Sequence, residues 1–462
     1  MTAVATENEA DVARERVLFR GLNACGVAWT LFVLFRSPGL GHDPVGHMLV
    51  AQAAWNHPEL LLDWWGRLGY TLIYLVPSLG GMGASRAWSI VLAIATALLT
   101  ADVARRCGVR RIWLIPLLLW FQPWYAQISM EATTQVPFGL LLIGGVALWL
   151  RERAFAAALA IGSLALVRHE GIALVGLWSG YMILRRQWVA AVAVFLPVGL
   201  YNLACYLVWG GFSFVGYLQP SRQVDVDLYG RGSLFYFVPR VLKWAGIPVV
   251  LLSMLALRTL VERREKTAFM LGYAAYFAVH SVLFWRGAYA TGGYVSFLEP
   301  MAPAFAIAAA IGVEVLFEWF KAWSGNEPRR VRAGAVALGV GIVALFGSCV
   351  VVRFQPVGVQ EVAMREAADW LRNQGVDKSR ILYSHVVFAH FYPVPVTPSE
   401  RWDLQRDLSA AAPGTFVVWD SNFAGLWGLH HEILSDPTGD WELLQTFQDG
   451  VGKVFRKKGG QP

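Results

Sequence analysis

Eleven runs of predominantly apolar residues punctuate this chain, near 17–36, 84–103, 112–127, 134–150, 155–167, 171–184, 188–208, 236–257, 267–285, 298–319 and 333–352. Runs of this kind leave few options. A helix needs roughly 17–25 apolar residues to cross ~30 Å of hydrocarbon, and within lipid the backbone must satisfy its own hydrogen bonds. The chain is therefore expected to be an all-α polytopic membrane protein of about eleven crossings. With 56% hydrophobic and 15% charged residues, the composition excludes both an ordinary soluble globule and a disordered chain. The 21 Trp and 15 Tyr suit a membrane–water boundary, which satisfies an apolar ring and its polar edge together.

Lys and Arg are unevenly shared between alternate loops. With the N-terminus inside, the cytoplasmic side receives Arg14, Arg16, the cluster from Arg105 to Arg111, Arg151, Arg153, Arg185, Arg186, the cluster from Arg258 to Lys266, Lys321, and the cluster from Arg329 to Arg332. The opposite loops hold few, chiefly Arg67, Arg168, Arg222, Arg231 and Arg286. Cytoplasmic flanks are the basic ones, so the N-terminus is expected inside and everything after Val352 outside. Net charge is +7, but it is dispersed between apolar runs rather than pooled on one face, which excludes a nucleic-acid partner. The first run reads as a retained anchor, since no small-residue cleavage site follows it.

Residues 68–83, LGYTLIYLVPSLGGMG, are apolar but broken by Pro77 and glycines. They are expected to form a re-entrant or interfacial piece of a long first outer loop, 37–83. The runs 155–167 and 171–184 are short and are expected to form a tight hairpin. Residues 1–352 thus read as a transmembrane catalytic domain and 353–462 as a soluble extracytoplasmic α/β domain, in which 11 basic and 13 acidic residues replace the apolar runs. There, EVAMREAADWLRNQG has helical periodicity with Gly375 as a stop, ILYSHVVF and TFVVWD read as buried strands, and WELLQTFQDGVGKVFRKK as a helix-to-strand or hairpin turning at Asp449-Gly450.

Ionisable groups in or beside lipid are costly and are the default candidates for function. In SPGLGHDPVGHMLVAQAAW, His42 and Asp43 open a helix just after the first crossing. Asp43 before Pro44 is a common N-cap arrangement, and capping is compatible with a second carboxylate oxygen facing a cleft. Further outer acids are Asp63, Glu131, Glu170, Asp225, Asp227 and Glu299. Glu131 stands in the short loop between the third and fourth crossings, where it serves either as a helix N-terminal acid or in catalysis. Arg168 and His169 occupy the turn of the short hairpin, and Arg286 follows a crossing. These arginines would suit the phosphate of an anionic lipid. No phosphate-binding loop, HExxH, GxSxG or CxxC occurs, so a nucleotide motor, zinc protease, hydrolase elbow and thiol redox centre lack support.

The order of GHDPVGHMLVAQAAW, VPSLGGMGASRAWSIVLAIATALL, SMEATTQVPFGLLL, LALVRHEGIALV, GGYVSFLEPMAP and EAADWLR resembles that of the GT-C superfamily of polytopic glycosyltransferases, near the branches that resemble bacterial and protein mannosyltransferases. Two departures stand out: His42 and Pro44 flank Asp43 where many relatives have paired acids, and Gly293 precedes Tyr294 where Arg is frequent.

The resemblance implies an enzyme of the bacterial inner membrane and cell envelope. It would transfer a hexosyl or pentosyl group, with inversion, from a polyprenyl-phosphate sugar to a hydroxyl on a glycan, lipid or protein at the extracytoplasmic face. Asp43 would be the base, with Glu131 as the second catalytic candidate. Donor contacts would come from Arg168, His169, Glu170, Arg286 and Arg231, while His42, Trp64 and Tyr294 would bind substrate. No cofactor is required beyond the lipid-linked donor. A divalent metal stays open, since His42, Asp43 and Glu131 form a site only if folding gathers them. The alternatives are an O-antigen polymerase or ligase and a lipid-linked-sugar transporter or flippase.

Overall fold

The computed structural model describes residues 2–211, 229–288, 292–324, 327–349, 354–396 and 404–459; Asp225 and Asp227 lie outside them. The chain divides into two compact units. One comprises residues 1–34 and 86–353, the other 35–85 and 354–462.

The first unit is helical, and its residues explain why. Among the described residues four helices are long and apolar enough to cross a membrane: Val12–Phe35, Gly81–Arg106, Trp188–Trp209 and Val295–Trp323. Along the third of these, Val189, Val192, Leu196, Leu200, Leu203 and Leu207 are all exposed. Their three- and four-residue spacing makes one continuous apolar stripe, which only lipid can cover. The protein is a multi-pass membrane protein.

Other expected crossings are broken. The run 112–127 becomes Leu114–Trp120 and Tyr125–Ser129, and 236–257 becomes Val238–Trp244 and Ile247–Leu255, bent by 115°. Pro248 at the start of the second piece lacks the N–H that would continue the first helix. The runs 134–150, 155–167 and 171–184 form short apolar helices, Gln135–Trp149, Ala154–Val167 and Gly171–Leu184.

Small residues set the helix spacing in this unit. A Cβ on Gly312 would stand 1.9 Å from the carbonyl oxygen of Leu252, and one on Gly162 would stand 2.2 Å from that of Val194. Both glycines let backbones approach closely, a recurrent device in lipid, where dispersion replaces hydrophobic drive. Basic residues that the sequence assigns to one side are gathered by acids. Asp102 bridges Arg106 at 3.1 Å and Arg151 at 3.0 Å, and Glu314 Oε1 accepts the amides of Arg110 and Arg111 at 2.6 and 3.1 Å.

The second unit joins the first outer loop to the C-terminal segment. The helices His42–Ala53 and Leu68–Ser78 come from the loop. At roughly 1.5 Å per residue, the 11 residues of Leu68–Ser78 reach only about half the thickness of the hydrocarbon layer. From the C-terminal segment come helix Val359–Asn373 and a four-stranded sheet of β1 (Ile381–Tyr383), β2 (Phe416–Asp420), β3 (Trp441–Phe447) and β4 (Gly452–Lys457), in the order β1-β2-β4-β3. β1 runs parallel to β2, and the other pairs are antiparallel. Val417, Phe455, Leu404, Leu429 and Trp441 centre its core.

Helix Val359–Asn373 ends as its glycine predicts, with Gly375 at φ 63°. The expected strand ILYSHVVF is only half strand, since after Tyr383 the chain turns into helix Val386–Phe391. Its cap is His385, whose Nδ1 accepts the amide of Val387 at 3.2 Å, a local bond that ends strand pairing. Of the two readings of the last segment, the hairpin forms, with Asp449 and Gly450 both at positive φ in its turn.

Hydrogen bonds tie the loop to the C-terminal segment. The Gly39 amide donates to the Gln355 carbonyl at 3.0 Å, the Leu40 amide to Glu361 Oε2 at 2.9 Å, and the Gln355 amide to Ser37 Oγ at 3.1 Å.

Candidate active site

In the helical unit, the stretch Val167-Arg168-His169-Glu170 interrupts two short helices and turns its polar groups inward. Arg168 is buried; its guanidinium donates to Glu170 Oε1 at 2.8 Å and to Thr134 Oγ1 at 3.0 Å, and lies 4.4 Å over the Phe297 ring. Glu170, Thr134 and an aromatic face supply the partners that make burial affordable in place of water. His169 is buried as well.

Phe297 links this pair to other groups. Its carbonyl accepts from Tyr276 Oη at 2.9 Å, and its ring lies 5.6 Å from His280 and 5.7 Å from Tyr294. His280 is fully buried, neither ring nitrogen has a hydrogen-bond partner, and it stands within electrostatic reach of Glu170 and Arg168. Glu299 is also buried, with Oε2 unpartnered.

Arg231, Arg286 and Tyr294 are exposed. The Gly232 amide donates to the Phe284 carbonyl at 3.3 Å, so Arg231 and Arg286 flank one backbone contact. Arg286 lies 4.6 Å over Trp285. Glu131 is half-buried and accepts from Gln127 Nε2 at 3.2 Å.

In the second unit, helix His42–Ala53 has Gly41 as its N-cap, at φ 73°, and Asp43 lies in its first turn. The expected Asp43 cap is therefore corrected. A residue at positive φ suits glycine, and the exposed Asp43 carboxylate sits where the helix dipole favours an anion. Asp63 is buried, and Oδ1 accepts the Gly66 amide in a tight turn, a structural role.

The His42 ring stacks on Phe423 at 3.9 Å and meets the edge of His385 at 4.8 Å. Burial and the neighbouring His385 push the pKa of His42 well below the usual imidazole value. His385 is lowered by burial against an opposing pull from Asp420. Asp420 is buried and accepts the amides of Asn422 and Phe423 at 2.9 and 2.7 Å, together with the Ser384 hydroxyl. Beside them opens a cleft walled by Trp64, Trp65, Tyr383 and Trp427, with His42 and Ser384 at its polar edge. Among the described residues no three His, Cys, Asp or Glu are grouped to hold a metal ion.

No family model matches the chain, and no curated protein does. Solved structures do. ArnT from Cupriavidus metallidurans in the apo state aligns with TM-score 0.66 and 14% identity, covering 94% of this chain and 98% of that one. The same enzyme bound to undecaprenyl phosphate aligns at 0.59, with the same identity and coverage. The Archaeoglobus fulgidus oligosaccharyltransferase in complex with Zn and sulfate aligns at 0.53 with 12% identity, over 82% of this chain and 58% of that one. The fold is the one that ArnT and the archaeal oligosaccharyltransferase share.

Within this fold the expected site residues fall into three groups. Arg168, Glu170 and their neighbours form one buried cluster, Arg231 and Arg286 flank the backbone contact of Gly232 with Phe284, and His42 joins Trp64 on the cleft. Asp43 belongs to the second unit and Glu131 to the first. Sequence reading missed Thr134, His280 and Phe297, and also Ser384, His385, Asp420 and Phe423. Of these, His280 alone carried a signal, an imidazole inside an apolar run.

Proposed function

We propose that the protein is a membrane glycosyltransferase that moves a sugar from a polyprenyl-phosphate donor to a hydroxyl acceptor at the extracytoplasmic face, with inversion. The observation that carries this reading is the likeness, over 94% of the chain, to an enzyme solved with undecaprenyl phosphate. The residues are chemically adequate. The acceptor oxygen attacks the anomeric carbon as the bond from that carbon to the phosphate oxygen breaks, and the acceptor proton passes to the Asp43 carboxylate. The lipid phosphate departs as an anion, so one base suffices and no general acid is needed, unlike the paired carboxylates of glycosidases. Arg286 and Arg231 would hold the departing phosphate, and Arg168 would stabilise its growing charge. Glu131 would act as a second carboxylate near the reacting groups, with His169 and Glu170 completing the donor pocket and Tyr294 stacking on the sugar.

The test is transfer by purified protein from a panel of labelled polyprenyl-phosphate sugars to extracted cell-envelope acceptors, with Asp43→Asn alongside. Transfer that disappears in the variant supports both the reaction and its base. No transfer from any donor by folded protein would overturn the reading in favour of the polymerase or transporter alternatives. Arg286→Ala is expected to weaken donor binding, and unchanged affinity would remove Arg286 from the site.

A further inference from the structure

The walls of the cleft in the second unit are mostly apolar. Besides its four aromatic rings, its walls are aliphatic, from Leu49, Val50, Val386 and Val396. Trp65 is fixed in place, stacked on His47 at 4.5 Å and lying so close over Gly46 that a Cβ there would stand 2.1 Å from its ring. Polar groups at the cleft are scarce. The Ser384 hydroxyl proton is committed to the Asp420 carboxylate. Nδ1 of His42 is buried without a hydrogen-bond partner, while Phe423 and His385 fix the plane of its ring.

A hexose brings several hydroxyls and a peptide its amides and carbonyls. Each such group buried without a partner costs about 1–3 kcal/mol. Such a cleft suits a hydrocarbon body carrying a single hydroxyl at one end.

We propose that this cleft seats the hydrocarbon part of a hydroxyl-bearing amphiphile, with His42 Nδ1 accepting the hydrogen bond of its hydroxyl. The role of that amphiphile as the acceptor rests on the transferase reading above, since His42 is adjacent in the chain to Asp43; the binding itself does not.

The experiment uses the full chain in lipid nanodiscs and a dodecan-1-ol carrying a diazirine near its methyl end, with photolabelled peptides mapped by mass spectrometry. Comparators are the same-length diazirine alkane without the hydroxyl, a diazirine-tagged hexose, and undecaprenyl phosphate as competitor. Label is expected on the segments around Leu49, Val386 and Val396. It should fall at least fivefold in Leu49→Trp, which fills the cleft. Wild-type protein should prefer the alcohol to the alkane about fivefold, the worth of one neutral hydrogen bond. His42→Phe keeps the stacked ring and should abolish that preference.

Labelling unchanged by Leu49→Trp would overturn the proposal, as would capture of the hexose alone. Displacement by undecaprenyl phosphate would give the cleft to the donor's tail and equally overturn it. Photolabelling needs no turnover, so cleft labelling that persists while no donor supports transfer would sink the transferase reading and leave the cleft standing.

Discussion

The two units solve the burial of polar groups in opposite ways. In the helical unit, the buried Arg168 is answered by other side chains, Glu170 and Thr134, and Glu314 finds backbone amides only at the turn that carries Arg110 and Arg111. In the second unit, buried polar side chains are answered largely by backbone amides. Asp420 takes those of Asn422 and Phe423, His385 that of Val387, and Glu361 that of Leu40. Helices in lipid use their amides internally, so a charge inside a span finds few of them free. An α/β unit with loops has amides to spare. The contrast teaches that function in the first unit can be sought wherever a charge is buried, whereas in the second it must be sought where distant segments meet.

The largest test of this contrast is Asp43→Asn. Removing a general base costs about 10²–10⁴-fold in rate, while stability should fall by no more than about 1 kcal/mol, the worth of an exposed acid at a helix N-terminus. A matching loss of stability would make Asp43 part of the scaffold instead. Next comes Arg168→Ala, which strands Glu170 in the bundle and should cost about 3–5 kcal/mol in unfolding experiments. Adding Glu170→Gln should recover part of that loss. A cost below about 1 kcal/mol would mean that water reaches the pair, as at an exposed bridge.

For the second unit, Asp420→Ala leaves two amides and a hydroxyl without their acceptor and should cost about 1–3 kcal/mol. Asp420→Asn should cost less, since it keeps an acceptor oxygen. Hydrogen exchange at Asn422 and Phe423 would read the difference directly.

The smallest effect is on pH. His42 and His385 both have folded-state pKa values below the ordinary imidazole value, so the unfolded chain takes up their protons first as pH falls. The stability they contribute is full above about pH 6.5 and is lost as pH drops toward the folded values. A melting series from pH 7.5 to 5 should show this decline, and His42→Phe should flatten it. A curve unaffected by that substitution would show that His42 stays as accessible to protons folded as unfolded.

Much of the helical unit was legible in the sequence because crossing ~30 Å of lipid imposes length and apolarity on each run. What the runs could not show was where helices break. Pro248 and the break between Trp120 and Tyr125 divide what hydropathy alone joins. Arg168 read only as a hairpin-turn arginine, because no periodicity announces that Thr134 and Phe297 will surround it. In the second unit the strand at Phe416 and the hairpin turn at Asp449-Gly450 were readable from local chemistry, while the N-cap expected at Asp43 passed to Gly41.

By itself, the sequence determined that this chain enters a membrane many times, where its apolar runs lie, and that a small α/β segment ends it, because those properties are summed over neighbouring residues. Only the tertiary structure decided that the first outer loop and the C-terminal segment form one unit, that Phe423 and His385 grip His42, and that an apolar cleft opens beside them. Those contacts join residues more than 300 positions apart, as the bond from Leu40 to Glu361 does across 321. Pairings at such distance depend on loop closure and mutual burial, which leave no periodic mark on either segment.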